Sequence, residues 1–180
     1  MKKQERKKRK STQLNDLVKY ATADLANLKN QELLTFKIPI LLEYVFVFIL
    51  SKRLKVAEDD LPNLDYGDLA ALALSGIQYK DLLERVLKLG EVRNYLGHYL
   101  DRDAWLQKVR EYVSMWKLPG PVNEEQLLLV YDLALSAAYI DVFVVAAKVV
   151  SADTSVLEQA IAQYREHQRQ LLASLKRETK

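Results

Sequence analysis

The chain contains no cysteine and only two histidines among its 180 residues. The absence of cysteine excludes disulfide frameworks, thiolate metal sites and cysteine nucleophiles, and it is typical of proteins in a reducing compartment. The sequence also lacks glycine-rich phosphate loops, clusters of histidine and carboxylate at metal-ligand spacing, and Gly-x-Ser-x-Gly elbows. We therefore expect a cytoplasmic protein that needs no cofactor and no bound metal.

Glycine and proline are scarce, with five and four residues, and they are gathered at a few places. Such sparse punctuation predicts long helices joined by short connections. Apolar residues recur at three- and four-residue spacing, which predicts an all-α helical bundle of about six or seven helices. The predicted helices cover residues 12–30, 31–54, 69–74, 78–100, 101–116, 124–150 and a last helix opened by a capping box of Ser155 and Glu158.

The first residues of the chain differ in composition from the rest. Residues 1–10 hold seven basic side chains and one acidic side chain, a local charge of +6, whereas the whole chain carries +3. Such a run repels itself and has little to bury, so residues 1–11 are predicted to form a disordered arm. The arm either contacts phosphates or serves solubility. Residues 12–180 are predicted to form a single helical-bundle domain.

Two stretches raise the question of a membrane. The first, IPILLEYVFVFIL, has thirteen residues, fewer than the ~20 that span a bilayer. Pro39 within it is expected in a first turn or at a kink. The second, residues 124–150, is long enough, but Asp132 and Asp141 point to opposite sides, so no single face shields both from lipid. It is predicted to be a central bundle or dimer-interface helix without membrane contact, and a membrane-associated helical protein is the alternative.

The segment RNYLGH, residues 93–98, lies late in the predicted helix 78–100. On a helical wheel of ~100° per residue, Arg93, Asn94 and His98 bracket Gly90 and Gly97 on one face. The other side carries the expected core stripe of Leu82, Leu89, Val92, Leu96 and Leu100. Each glycine in a helix interior costs roughly 1 kcal/mol relative to alanine. The pair therefore predicts a close approach by a neighbouring helix, a second copy of the chain or a phosphate.

The three polar side chains suit cleavage of RNA without a metal. Attack by the 2′-hydroxyl requires a base, an acid for the leaving 5′-oxygen and positive charge near the phosphorane. His98 can exchange protons near neutral pH, and Arg93 supplies permanently charged, planar donors for phosphate oxygens. Asn94 lies one turn before His98, where it either orients the imidazole or donates to the phosphate.

Arg93, Asn94 and His98 resemble the R-N-x-x-x-H motif of the HEPN superfamily, whose members are small helical bundles. The resemblance covers this motif and the helical layout of residues 12–150. It implies a metal-independent endoribonuclease that acts as a homodimer, often in toxin–antitoxin or antiviral defence systems, with an antitoxin or regulatory protein as a partner. Some relatives carry a modifiable tyrosine two residues after the histidine. This chain departs from that pattern, because Leu100 occupies the position and Tyr99 precedes it.

Other interpretations of the same residues stay open. The motif residues can form an ordinary solvated face, or the glycine-notched face can belong to a non-catalytic HEPN-like module that binds a protein partner or a nucleotide. Glu43, inside an apolar run, is either a paired buried carboxylate or a residue at the cleft, and Tyr99 is a second auxiliary candidate. His167 lies among polar residues and is assigned to the surface.

A homodimer is expected, with the helices at 78–100 and 124–150 at its interface. The second of these helices has more apolar surface than one small bundle readily covers, and exposed patches of that size mark partner sites. Contact across a two-fold axis would bring two pairs of Arg93 and His98 into one cleft.

Overall fold

The computed structural model of the chain describes residues 14–19, 30–99, 101–116, 121, 123–150 and five positions between 162 and 173. All regular structure in these residues is helical, which confirms the predicted all-α bundle. The helices are α1 (Gln31–Leu54), α2 (Tyr66–Ala73), α3 (Lys80–Tyr99), α4 (Arg102–Ser114) and α5 (Glu124–Val150), with 3-10 turns at Glu58–Asp60 and Ile77–Tyr79. Residues 14–19 are also helical. The predicted arm at 1–11, the capping box and His167 lie outside the described residues.

Side-chain caps determine where four of the helices begin. Each cap is an Asn or Asp whose side-chain oxygen accepts a hydrogen bond from a backbone N–H in the first turn, an interaction worth ~1 kcal/mol. The caps are Asn30 for α1, Asp65 for α2, Asp101 for α4 and Asn123 for α5. The caps at Asp101 and Asn123 lie where the predicted helices 101–116 and 124–150 begin. The cap at Asp65 also explains why α2 begins before the predicted residue 69.

Helix α1 has an ordinary C-terminal cap and an unusual proline in its interior. The cap is Lys55, which takes a left-handed conformation with φ of 55° after basic residues in the last turn. Pro39 is buried within the helix and lies beyond its first turn. Of the two positions predicted for it, the first turn is therefore excluded. A proline there removes one backbone hydrogen bond. Burial of the apolar residues around it offsets this loss.

Helices α1 and α5 pack against each other more extensively than any other pair and form the centre of the bundle. Aromatic rings of α4 join this core, since the Tyr112 and Trp105 rings meet Tyr131 of α5 edge to face at 5.7 and 6.2 Å. All exposed large hydrophobic side chains of the described residues lie outside α5. Most of the apolar surface of residues 124–150 is therefore covered within the chain, and the part of this helix in a dimer interface stays a prediction.

The two central helices are long and apolar enough to cross a membrane by length and composition alone. More than half of the most apolar window of each is buried inside the bundle, at 61% for α1 and 56% for α5. Core helices of soluble proteins share these properties. The absence of a membrane partner and the cytoplasmic location therefore stay predictions.

A buried hydrogen bond joins the two central helices. The hydroxyl groups of Thr35 and Tyr131 lie 2.9 Å apart, and Thr35 also donates to the carbonyl of Gln31 at 2.8 Å. Because the single hydroxyl proton of Thr35 is used on that carbonyl, the hydroxyl of Tyr131 donates to Thr35 Oγ1. Thr35 is therefore the acceptor that keeps a buried phenol hydrogen-bonded.

Replacing Thr35 with valine is expected to lower the free energy of unfolding by about 1–3 kcal/mol, because a buried phenol hydroxyl loses its acceptor. Tyr131→Phe is expected to cost less, about 0.5–1.5 kcal/mol, since Thr35 keeps its bond to the Gln31 carbonyl. The double variant should cost less than the sum of the two single variants. Urea unfolding of the four proteins measures this, and additive losses would contradict the assignment.

Candidate functional site

Arg93, Asn94 and His98 lie in the last two turns of α3, which is amphipathic. Its apolar side is buried, including the predicted core residues Leu82, Leu89, Val92 and Leu96, while Leu100 lies outside the described residues. The Arg93 side chain is half-buried, whereas Asn94 and His98 are exposed. The motif residues therefore occupy two neighbouring sides of one helix.

The first side faces α1, where Arg93 forms an ion pair with Glu43. Nη1 of Arg93 donates to Oε1 of Glu43 at 3.0 Å, and the two side chains are only 28% and 34% exposed. The carboxylate therefore fixes the orientation of the guanidinium. Glu43 also lines a cleft of about 510 Å³ between α1 and the segment 58–64. Glu43 is thus paired, but it is half-buried, and the cleft that it lines is separate from the groove that contains His98.

Tyr66 lies beside this ion pair at the start of α2. Its hydroxyl donates to the carbonyl of Val86 at 3.1 Å, and its ring meets Phe46 edge to face at 6.0 Å. Burial raises the pKa of the Tyr66 hydroxyl far above its ordinary value, Glu43 raises it further, and Arg93 opposes both. Tyr66 therefore stays a neutral donor near neutral pH and supports α3 from behind the motif.

Asn94 and His98 line the second side, a shallow groove between α3 and α4. The groove has a volume of about 360 Å³ and is lined by Glu91, Asn94, Tyr95, His98 and Lys108. The ammonium of Lys108 lies 5.6 Å from the centre of the Tyr95 ring, so α4 places a cation beside the histidine face. Within the described part of one chain, His98 is thus grouped with Asn94 and Lys108, while Arg93 belongs to the side that faces α1.

A network of ion pairs connects α3 and α4 at this groove. Nζ of Lys88 lies 2.8 Å from both Glu91 and Glu111, and Nζ of Lys108 lies 3.0 Å from Glu111. Hydrogen bonds from Lys88 and then Lys108 lower the pKa of Glu111, and those to Glu111 and then Glu91 raise the pKa of Lys88. Lys88 and Glu111 therefore stay charged near neutral pH, and their ion pair joins α3 to α4 beside the groove.

The two glycines of α3 have different surroundings. A Cβ atom at Gly90 would lie 2.9 Å from the Tyr66 ring, closer than real Cβ contacts come. The close approach expected from the sequence is present there, and the approaching group is an aromatic ring of the same chain. A Cβ atom at Gly97 would lie 3.5 Å from the Phe36 ring, an ordinary contact, and this glycine is exposed. Gly97 thus leaves a notch on the surface.

Four residues of these two sites were missed by sequence reasoning, namely Tyr66, Glu91, Tyr95 and Lys108. A signal existed for two of them, because residues 91, 94, 95 and 98 follow the spacing of one helical face. Tyr66 and Lys108 come from other helices, and the periodicity of α3 contains nothing that points to them. The auxiliary candidate Tyr99 ends α3, and its side chain lies outside the described part of the chain.

No protein-family model, curated protein or solved structure matches this chain. Membership of a family is therefore not shown by similarity over the whole sequence. The resemblance to HEPN proteins stays a hypothesis that rests on Arg93, Asn94, His98 and the all-α fold.

Alanine substitutions at the two glycines should have opposite effects on stability. Gly90→Ala is expected to destabilise the protein by about 1–3 kcal/mol, because the new methyl group collides with the Tyr66 ring. That ring is held by its hydroxyl bond to Val86 and by its contact with Phe46. Gly97→Ala should be neutral or stabilising by up to about 1 kcal/mol, because it adds helix propensity at an exposed position. Thermal and urea unfolding of both variants checks this. Equal effects would contradict the packing described for Tyr66.

Proposed function

We propose that the protein is a metal-independent endoribonuclease in which His98 moves protons and Arg93 binds the scissile phosphate. The observation that carries the proposal is the position of His98, exposed in a groove with Asn94 and Lys108, on the same helix as a fixed arginine. An accessible imidazole beside amide and ammonium donors suits an anionic ligand. The resemblance of residues 93–98 to the HEPN motif supports RNA as that ligand.

The chemistry of His98 requires only proton transfer. As a base, the imidazole takes the proton of the 2′-hydroxyl, whose oxygen attacks the phosphorus; as an acid, an imidazolium returns a proton to the leaving 5′-oxygen. The products are a 2′,3′-cyclic phosphate and a free 5′-hydroxyl. Asn94 lies one turn earlier on the same groove, where its amide can orient the imidazole or donate to a phosphate oxygen.

Arg93 supplies the fixed positive charge. A guanidinium has five N–H donors, so the bond from Nη1 to Glu43 leaves donors for phosphate oxygens while it fixes the direction of the group. Glu43 acts in this proposal as a positioning residue. Its carboxylate also reduces the net charge near Arg93, so the phosphate is bound by directed hydrogen bonds more than by bulk positive charge.

A second copy of the chain completes the site. Arg93 and His98 are five residues apart and differ by about 140° around the helix axis, so one phosphate is reached more easily by groups from two chains. In a two-fold pairing of α3 with its copy, Arg93 of one chain lies opposite His98 of the other. Gly97 lies between them on the wheel and is exposed, which permits close contact there.

The apolar part of this proposed interface comes from α1. Leu33, Ile40 and Tyr44 are exposed by 42%, 41% and 48% and follow one stripe of the helix. The stripe adjoins the motif, because Glu43 contacts Arg93 and Phe36 lies beside Gly97. Exposed apolar side chains grouped beside a functional face are typical of interfaces. The dimer proposed here therefore uses α1 and α3, and α5 stays inside each bundle.

The second candidate function is a non-catalytic module that binds a nucleotide or a protein partner through the same groove. The observation that favours it is the separation of Arg93 from His98 within a single chain. An antitoxin or regulatory protein would belong to either function as a further partner. Cleavage assays separate the two candidates, because only the first predicts turnover.

Arg93→Ala and His98→Ala are each expected to reduce RNA cleavage by about 10²- to 10⁴-fold, because each removes a group that acts on the phosphate. Asn94→Ala should have a smaller effect, since an orienting group acts indirectly. Cleavage should continue in excess EDTA and leave 2′,3′-cyclic phosphate ends. Gel assays with labelled single-stranded RNA measure the rates, and circular dichroism checks that each variant keeps its helices.

Glu84→Gln serves as the charge control, since Glu84 is exposed near the start of α3, away from the motif. Glu84→Gln should cleave like the wild type. If the wild type cuts no RNA, or if His98→Ala cuts as fast as the wild type, the nuclease proposal is wrong.

Charge placed on the apolar stripe of α1 should separate the proposed dimer. Ile40→Glu is expected to shift the protein to monomer and to reduce cleavage with it, because two carboxylates would be buried near the two-fold axis. Leu54→Glu is the matched control: it adds the same charge at a position 60% exposed at the far end of α1. Light scattering at tens of micromolar protein measures the oligomeric state of each variant. A monomeric wild type would contradict the proposed dimer.

A further inference from the structure

The groove at His98 is lined by side chains that have no part in the proposed proton transfer. Glu91 and Tyr95 line it together with Lys108, and none of these three residues belongs to the motif. Its volume of about 360 Å³ lies within the range of about 300–1,000 Å³ found for small-molecule sites. We propose that this groove binds a guanine base of single-stranded RNA and that Glu91 and Tyr95 select the nucleotide on the 5′ side of the cleavage point. This inference rests on the proposed ribonuclease function.

Tyr95 provides the surface on which a base can stack. Tyr95 is half-buried, and the ammonium of Lys108 from α4 lies 5.6 Å from the centre of its ring. Proteins bind unpaired RNA bases mainly by stacking on aromatic side chains, which tolerates any base. The ring alone therefore explains binding of a base but not the choice of one.

Glu91 provides the choice. A carboxylate only accepts hydrogen bonds, and its two oxygens match two neighbouring N–H donors. Among the four RNA bases, guanine alone presents such a pair on its pairing edge, the N1–H and the N2 amino group. Uracil presents carbonyl oxygens on both sides of one N–H, which a carboxylate repels. Glu91 is 60% exposed, and Lys88 holds its Oε2 atom at 2.8 Å, so it is both reachable and fixed.

The spacing along α3 suits one nucleotide. Glu91 and His98 are seven residues apart, which corresponds to about 10.5 Å along the helix axis, and Tyr95 lies between them. The distance from the pairing edge of a nucleotide to its 3′-phosphate is of comparable length. A guanine edge at Glu91 with its ring on Tyr95 therefore places the following phosphate near His98 and Lys108, and cleavage is expected after guanosine.

Binding of uncleavable RNA tests the inference separately from catalysis. The probes are fluorescein-labelled 2′-O-methyl trinucleotides GUU, AUU, CUU and UUU, titrated with the full-length chain and followed by anisotropy. We expect GUU to bind about tenfold more tightly than UUU, the discrimination of one good bidentate contact. Glu91→Gln should remove this preference and leave UUU binding unchanged, because an amide offers one acceptor only. Tyr95→Ala should weaken all four probes, and Tyr95→Phe should restore them.

Glu84→Gln is the matched control on the same helix, since Glu84 is exposed and pairs only weakly with Lys80 at 3.9 Å. Equal affinity for all four probes overturns the inference, as does a guanine preference that survives Glu91→Gln. If the protein prefers guanine through Glu91 but cuts no RNA, the base site stands and the ribonuclease proposal fails. If it cuts RNA without base preference, the ribonuclease stands and the guanine site fails.

Discussion

The packing of α1 against α5 is the contact on which the rest of the fold depends. Both helices are apolar on nearly every side, so each needs neighbours all around it. Because these two helices lie together at the centre, the amphipathic helix α3 covers them from outside, with both of its valines and most of its leucines buried. The polar residues of α3 must then face outward or toward partners at the rim. The position of the RNYLGH segment is thus a consequence of the core.

The helix pattern was predictable because it depends on local chemistry. The helices that Asp101 and Asn123 cap begin where the sequence predicts, since an N-cap uses only residues within one turn. Pro39 was harder, because its place inside α1 depends on the packing around that helix. The expectation of an exposed apolar face on residues 124–150 was weakened for the same reason: hydropathy shows that the side chains are apolar, but only the packing shows what covers them.

The site could be predicted only in part. A helical wheel places residues by angle, and it grouped Arg93 with His98 because both lie near two glycines. The structure adds what surrounds each residue: Glu43 of α1 holds Arg93 at 3.0 Å, and Lys108 of α4 joins Asn94 and His98 in a groove. Glu43 and Lys108 lie far from the motif in sequence, so no spacing rule connects them. Gly90 serves the packing of Tyr66, whereas Gly97 leaves the surface notch.

We propose that Arg93 of one chain and His98 of a second chain act on the same phosphate. Co-expression of Arg93→Ala and His98→Ala chains tests it directly, because each mixed dimer then contains one intact composite site and one site that lacks both groups. Random pairing should restore cleavage to about a quarter of the wild-type rate, although each variant alone is nearly inactive. A mixture that stays as inactive as the single variants, with mixed dimers shown to be present, would show that Arg93 and His98 of two chains do not share one phosphate.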